Sequence, residues 1–428
     1  MNQLIKNNIH LFSKLNYFLI IFLPISLLVG TLISNITIIL ICFLFIFDLI
    51  QRKNFFLFKD KNFYFLLIIY AYLILNALLL SENTTESMIR AVGFLRFILL
   101  AYAIFFYLKI YKNNFLKYWV IIFIIVSFDI LYEFVFGNNI LGFSAQYSGR
   151  ISSFTGDELK IGGFYFGFFA ISLAYIYTYK KSLFYLFSIT FLIIAFLIGE
   201  KSNLIKIFFL FLILNYFFMN RKQFIRIILI VILSISTILV VNINQDLRES
   251  FLGELPIIKQ SRIILHSIYP KPFTVAKLEN NKNFKEYFYS TRYYAHYSTA
   301  YEMLKKNILF GVGLKNFRYE SYKKEYGLDG KLGGSTHPHQ THFEFLSELG
   351  LIGYLLILMN FTYILFQQKK NLNPLKIIGI SFLLSTLIPL LPSGSFFTSY
   401  GATIFFINYS FLIYLNEISD KNQNDFKS

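Results

Sequence analysis

Apolar runs of roughly bilayer-spanning length, separated by short polar stretches, recur along the whole chain. They fall at 17–34, 36–50, 63–80, 91–107, 118–136, 161–178, 183–199, 203–219, 224–242, 343–366, 375–391 and 396–415, and predict about twelve transmembrane helices. The expected fold class is an all-α polytopic membrane protein, with residues 1–428 forming a single membrane domain. The first run, near Tyr17, is followed at once by a second with no small-residue cleavage pattern between them, so it reads as a retained helix and not a signal peptide. One segment breaks the rhythm: a polar stretch at 243–342, between the ninth and tenth helices, predicted to be a large periplasmic loop containing helices.

Basic residues orient this array, because Lys and Arg in short loops are retained in the cytoplasm. The termini and alternate short loops hold 19 of the 40 basic residues, among them Lys6, Lys14, Arg52, Lys53, Lys109, Lys112, Lys180, Lys181, Arg221, Lys369 and Lys421. The short loops of the opposite side hold only Arg90, Arg150, Lys160 and Lys201. Both termini are therefore expected in the cytoplasm. The long loop's own basic residues do not oppose this, since long loops translocate largely regardless of charge.

Composition adds exclusions. With 56% of 428 residues hydrophobic and 15% charged, no water-soluble fold could hide the apolar surface. The single cysteine, Cys42, lies in an apolar run and excludes a disulfide framework or a Cys-based metal site. The 15 basic residues of the long loop create an outward-facing basic surface that suits an anionic partner such as a phosphate, or is simply solvated; nucleic acid does not fit the outside of a cell membrane.

The densest group of reactive side chains ends the long loop, in GGSTHPHQTHFEFLSELGLIGYLL, which holds His337, His339 and His342. Three readings compete: a histidine acting as general base on a hydroxyl nucleophile; a zinc site from His339 and His342, completed by His337 or Glu344; and rings that only cap the entering helix. Glu344 could orient a histidine, or it and Glu348 could snorkel to water. Gly350 and Gly353 suit close helix packing. A second group is basic. Arg150, in YSGRISSFTGDELKIGG, defies the positive-inside bias and could bind a diphosphate bidentately, or pair with Asp157 or Glu158. Arg292 opens a stretch that reads as an amphipathic helix followed by a glycine-punctuated turn, ILFGVGLKNF. Lys201, in IGEKSN, and Arg96 are weaker candidates, and His10, His266 and His296 read as background.

These features together resemble the O-antigen ligase and O-antigen polymerase family of bacterial envelope glycosyltransferases. The family's ligase motif is His, then Asn, Ser or Gln, nine residues, Gly, two residues, and Gly, Thr or Tyr; His339, Gln340, Gly350 and Gly353 fill it. ILFGVGLKNF is similar to the family's glycine-rich turn, Arg292 and Arg150 lie where its loop arginines are expected, and Lys201 stands where arginine is usual. The resemblance implies metal-independent, inverting transfer of an undecaprenyl diphosphate-linked glycan to an acceptor at the periplasmic face of the bacterial inner membrane, with no cofactor. It implies His339 as catalytic base and Arg150 and Arg292 as diphosphate ligands, with Glu344, Lys201 and His337 in support. A ligase would use lipid A-core as acceptor in lipopolysaccharide biosynthesis, and a polymerase another lipid-linked repeat; the complete histidine motif favours the ligase. A secondary transporter is the competing class, disfavoured because polar clusters concentrate at one face and no internal duplication is visible.

Overall fold

The computed structural model describes residues 2–143, 150–156, 160–219, 292–326, 334–368 and 373–413, with side chains from Leu11 in the first segment and from Tyr293 in the fourth. Among these residues the regular elements are helices throughout, and eight helices are long and apolar enough to cross a membrane. The expected helix at 224–242, residues 243–291 of the long loop and the C-terminal tail lie outside the described residues.

The chain divides into two compact units, residues 1–118 with 284–428, and residues 119–283. The first unit contains α1 (Asn2–Val29), α2 (Thr31–Gln51), α3 (Lys61–Leu80), α4 (Thr84–Gly93) and α5 (Leu95–Ile110). The predicted first helix, 17–34, is corrected: Gly30, at φ 147°, breaks the chain so that α1 ends at Val29 and α2 starts at Thr31. The predicted helix at 91–107 lies within one apolar span, Thr84–Ile110, which α4 and α5 form together through Phe94. α6 (Leu116–Phe136) leads into the second unit, which holds α7 (Ile161–Tyr179), α8 (Lys181–Leu197) and α9 (Lys201–Phe218). The chain then returns to the first unit with α10 (Arg292–Lys306), the short α11 (Phe317–Glu320), α12 (Thr341–Gln367), α13 (Pro374–Thr386) and α14 (Ser399–Tyr409). α13 stops five residues before the expected 391, and α14 starts three after the expected 396, because LPSGSFF between them is an irregular loop.

Helix starts follow from local chemistry. Side chains of Asp60, Asn83, Asn373 and Thr398 each accept a hydrogen bond from a backbone amide in the first turn of α3, α4, α13 and α14, satisfying donors that have no partner within the helix. Pro374 sits at the start of α13, where its missing N–H costs nothing.

Polar side chains inside an apolar bundle are stable only when paired. In the first unit, Asp48 accepts hydrogen bonds from Ser13 Oγ (2.7 Å), Tyr107 Oη (2.8 Å) and Arg52 Nε (2.7 Å). A second network joins Asp60, Tyr102, Asn62, Asn360 and Tyr409 across α3, α5, α12 and α14. Both act as buried polar ties between helices.

Candidate active site around His339

The site in the first unit is assembled by an interruption in a helix. α12 runs through Gly350, whose φ of 66° and ψ of −171° are not helical. In an unbroken helix the Leu351 and Ile352 amides would donate to the Ser347 and Glu348 carbonyls, four residues back. Here the turn after α10 takes over both pairs. Leu351 and Ile352 donate to the carbonyls of Ile308 (2.8 Å) and Leu309 (3.1 Å), while Val312 and Gly313 donate to those of Ser347 (2.9 Å) and Glu348 (3.0 Å). The break in α12 and the glycine-rich turn are thus one hydrogen-bonded structure.

Glycine is required where the two backbones cross. A Cβ on Gly311 would lie 2.5 Å from the Glu348 carbonyl carbon and 2.6 Å from the Gly350 nitrogen. One on Gly350 would lie 2.5 Å from the Gly311 nitrogen, and one on Gly353 would strike the Tyr72 ring at 2.6 Å. Tyr72 from α3 donates to the Leu349 carbonyl (2.6 Å), and Asn76 holds the turn by donating to the Phe310 carbonyl (2.8 Å) and accepting from the Leu314 amide (2.7 Å). The motif's glycines therefore serve close packing, as the sequence suggests.

At the start of α12 the motif residues separate into distinct tasks. The Gln340 side chain accepts from the Phe343 amide (2.8 Å) and caps the helix. His342 has both ring nitrogens engaged, Nδ1 with Tyr354 Oη and Nε2 with the Leu387 carbonyl, each at 3.0 Å. It is a structural tie, and the shared His339/His342 face that a zinc site would need is not formed. His339 takes a left-handed φ of 56°, rare for a non-glycine residue. Its Nε2 lies 3.2 Å from Ser335 Oγ and its carbonyl accepts from the Ser393 amide (2.8 Å).

Two further imidazoles flank His339. The His337 ring centroid is 4.0 Å away and that of His296, from α10, is 5.0 Å away. His296, which the sequence leaves as background, is thus a neighbour of the central histidine. The available signal was its position four residues after Arg292 in a stretch that reads as one helix. Arg292 is the first residue of α10, one turn ahead of His296. Burial pushes His339 down to about 4, with His337 and His296 adding to the effect and Glu344 opposing it. Burial, then the Lys315 ammonium, brings His337 to about 4 as well. Both rings are neutral at neutral pH.

Glu344 does not contact His339 through a hydrogen bond, and it does not snorkel. It is 1% exposed and accepts from Ser395 Oγ and from the Phe396 amide (2.7 Å), with the Lys315 ammonium 3.6 Å away. Glu348 is also fully buried and accepts from the Lys315 amide (2.9 Å). The turn made by Lys315 and the loop before α14 create these partners, and neither adjoins the histidine motif in sequence.

Arg150 belongs to the second unit. Its side chain is exposed at the edge of the segment 150–156, which two carboxylates of α6 hold. Glu133 accepts from the amides of Ser152 (3.1 Å) and Ser153 (2.6 Å), Asp129 accepts from Ser153 Oγ (2.5 Å), and Asn139 donates to the Ser153 carbonyl (2.6 Å). Asp157 and Glu158, the alternative partners for Arg150, lie outside the described residues. Among the described residues, burial raises the Glu200 carboxyl, while Asn203 and the Arg150 charge oppose the rise. Lys201, the next residue, is exposed at the start of α9.

The fold and this site define a polytopic helical membrane protein with an imidazole cluster at the entry of a broken transmembrane helix. Residues 166–358 match the family model described as O-antigen ligase, so this part of the chain is similar to that family. The matched span contains Lys201, Arg292, His337, His339 and Glu344, while Arg150 precedes it. No curated protein matches the chain.

Proposed function

We propose that the protein transfers a glycan from undecaprenyl diphosphate to lipid A-core at the periplasmic face of the inner membrane, with both termini cytoplasmic and His339 as general base. The observation that carries this reading is the division of labour in the motif: Gln340 and His342 are committed to structure, which leaves His339 as the motif's imidazole facing two others. A neutral imidazole removes the proton from the acceptor hydroxyl, which is worth about 100- to 10,000-fold in rate. The hydroxyl oxygen attacks the anomeric carbon as its bond to the diphosphate breaks, so the centre inverts and the carrier diphosphate leaves with the electron pair. That leaving group needs charge stabilisation more than protonation, and Arg150 and Arg292 supply it. Negative charge of the diphosphate near His339 raises the basicity that burial lowers. Lys201 adds positive charge, His337 supports the His339 ring as a neutral neighbour, and the reaction needs no metal or cofactor.

A polymerase that joins lipid-linked repeats would use the same chemistry with a different acceptor. Purified protein in liposomes carrying an undecaprenyl diphosphate-linked oligosaccharide and lipid A-core separates the two. Glycan on lipid A-core is the expected product; longer chains on the carrier, with lipid A-core untouched, would make the protein a polymerase.

A further inference from the structure

We infer that Glu344, Lys315 and Ser395 form a buried positioning network that holds His339 in its reactive placement, an inference that rests on His339 being the base. A left-handed φ at a non-glycine residue persists only where its surroundings fix it. The His339 backbone is fixed from the loop before α14, through the Ser393 amide on its carbonyl. That loop has no regular structure of its own, so something must place it.

The placement comes from below. Ser393 Oγ meets Thr341 Oγ1 at 3.0 Å, which ties the loop to the first turn of α12. Two residues on, Ser395 Oγ donates to Glu344, the Lys315 ammonium donates to Ser395 Oγ, and the Phe396 amide donates to the second Glu344 oxygen. Lys315 is 2% exposed, has a φ of 60°, and is held by its own amide on Glu348. One carboxylate, one ammonium and one hydroxyl thus lock three segments together: α12, the glycine-rich turn and the loop that carries Ser393. None of the three side chains bonds to the imidazole, so they act through the backbone. A buried ion pair of this kind need not raise stability over an apolar replacement, which makes a specifying role the better account of its presence.

The groups facing the His339 ring are His337 from its own loop, His296 and Tyr293 from α10, and Glu344 from α12; Lys315 and Arg318 act on His337. A ring released from this packing regains water, and its titration moves back toward the ordinary histidine range. Lost positioning therefore has a signature that general damage lacks.

The test compares wild type with Ser395→Ala and with the charge-neutral double variant Glu344→Gln/Lys315→Met, reconstituted in liposomes with an undecaprenyl diphosphate-linked oligosaccharide as donor. The double variant avoids stranding a lone buried charge. Transfer is measured between pH 5 and 8.5, with folding checked by size-exclusion chromatography. Wild type should keep its rate down to pH 5.5. The variants should lose about 10- to 100-fold in kcat with unchanged donor KM, as expected for a misplaced catalytic group, and their rates should begin to fall near pH 6.5. Ser395→Thr, which keeps the hydroxyl, should restore both. Folded variants with the wild-type rate, or with a rate lowered equally at every pH, would overturn the inference. His339→Ala is run in parallel: activity there removes the base reading and this inference with it, whereas loss there beside an unshifted pH profile in the network variants removes only the positioning role.

Discussion

Replacing Gly350 by alanine tests the broken-helix architecture on which the site is built. Its φ of 66° with ψ of −171° lies in a region that side chains scarcely enter, at a cost of about 1–3 kcal/mol. The added Cβ would also come 2.5 Å from the Gly311 nitrogen, a contact that only a backbone shift can relieve. Forced overpacking of this kind costs another ~1–3 kcal/mol. The variant should therefore lose about 2–6 kcal/mol if the two terms add. Relieving the contact would also open the four backbone hydrogen bonds between α12 and the turn. Gly394→Ala is the control, because its Cβ would meet nothing within 4 Å and its φ is not in the left-handed region. Thermal unfolding of the two detergent-solubilised variants, followed by intrinsic fluorescence, gives the comparison. Gly350→Ala should melt well below wild type and Gly394→Ala close to it. Equal midpoints for Gly350→Ala and wild type would refute the crossing of turn and helix.

Other outcomes follow from the same geometry. His342→Ala should lower the thermal midpoint while retaining measurable transfer, because its two bonds are structural; complete loss in a folded protein would contradict that division. His339 and His337 have folded values near 4, below the ordinary 6.5, so the unfolded chain binds more protons and stability falls as pH drops from about 6.5 towards 4. The thermal midpoint should decline across that window, and less steeply in His337→Ala; parallel declines would contradict the assignment. Glu133→Ala should release the segment that carries Arg150 and raise the donor KM with a smaller change in kcat, checked by initial rates against donor concentration.

Much of this was legible in the sequence because the relevant signals are local. Apolar runs mark α1 to α3, α5 to α9 and α12 to α14, and the spacing from His339 to Gly353 sits within one loop-helix junction. Local spacing likewise gave Gly350 and Gly353 their packing role. What stayed hidden depends on contacts between distant segments. Lys315 meets Ser395 across 80 positions, Glu344 meets Ser395 across 51, and His296 reaches His339 only because α10 folds back on the motif. Glu344 looked like a histidine's partner because it follows the three histidines on the entering helix, yet Ser395 and Phe396 claim both of its oxygens. His342 looked equivalent to His339 until Tyr354 and Leu387 took its nitrogens.

The most direct test of the central claim is glycan transfer by folded His339→Ala protein in liposomes containing the undecaprenyl diphosphate-linked donor and lipid A-core. The account predicts donor binding close to wild type and loss of transfer by at least about 100-fold, the contribution of a positioned base. Transfer at the wild-type rate would show that another group takes the proton and would contradict it.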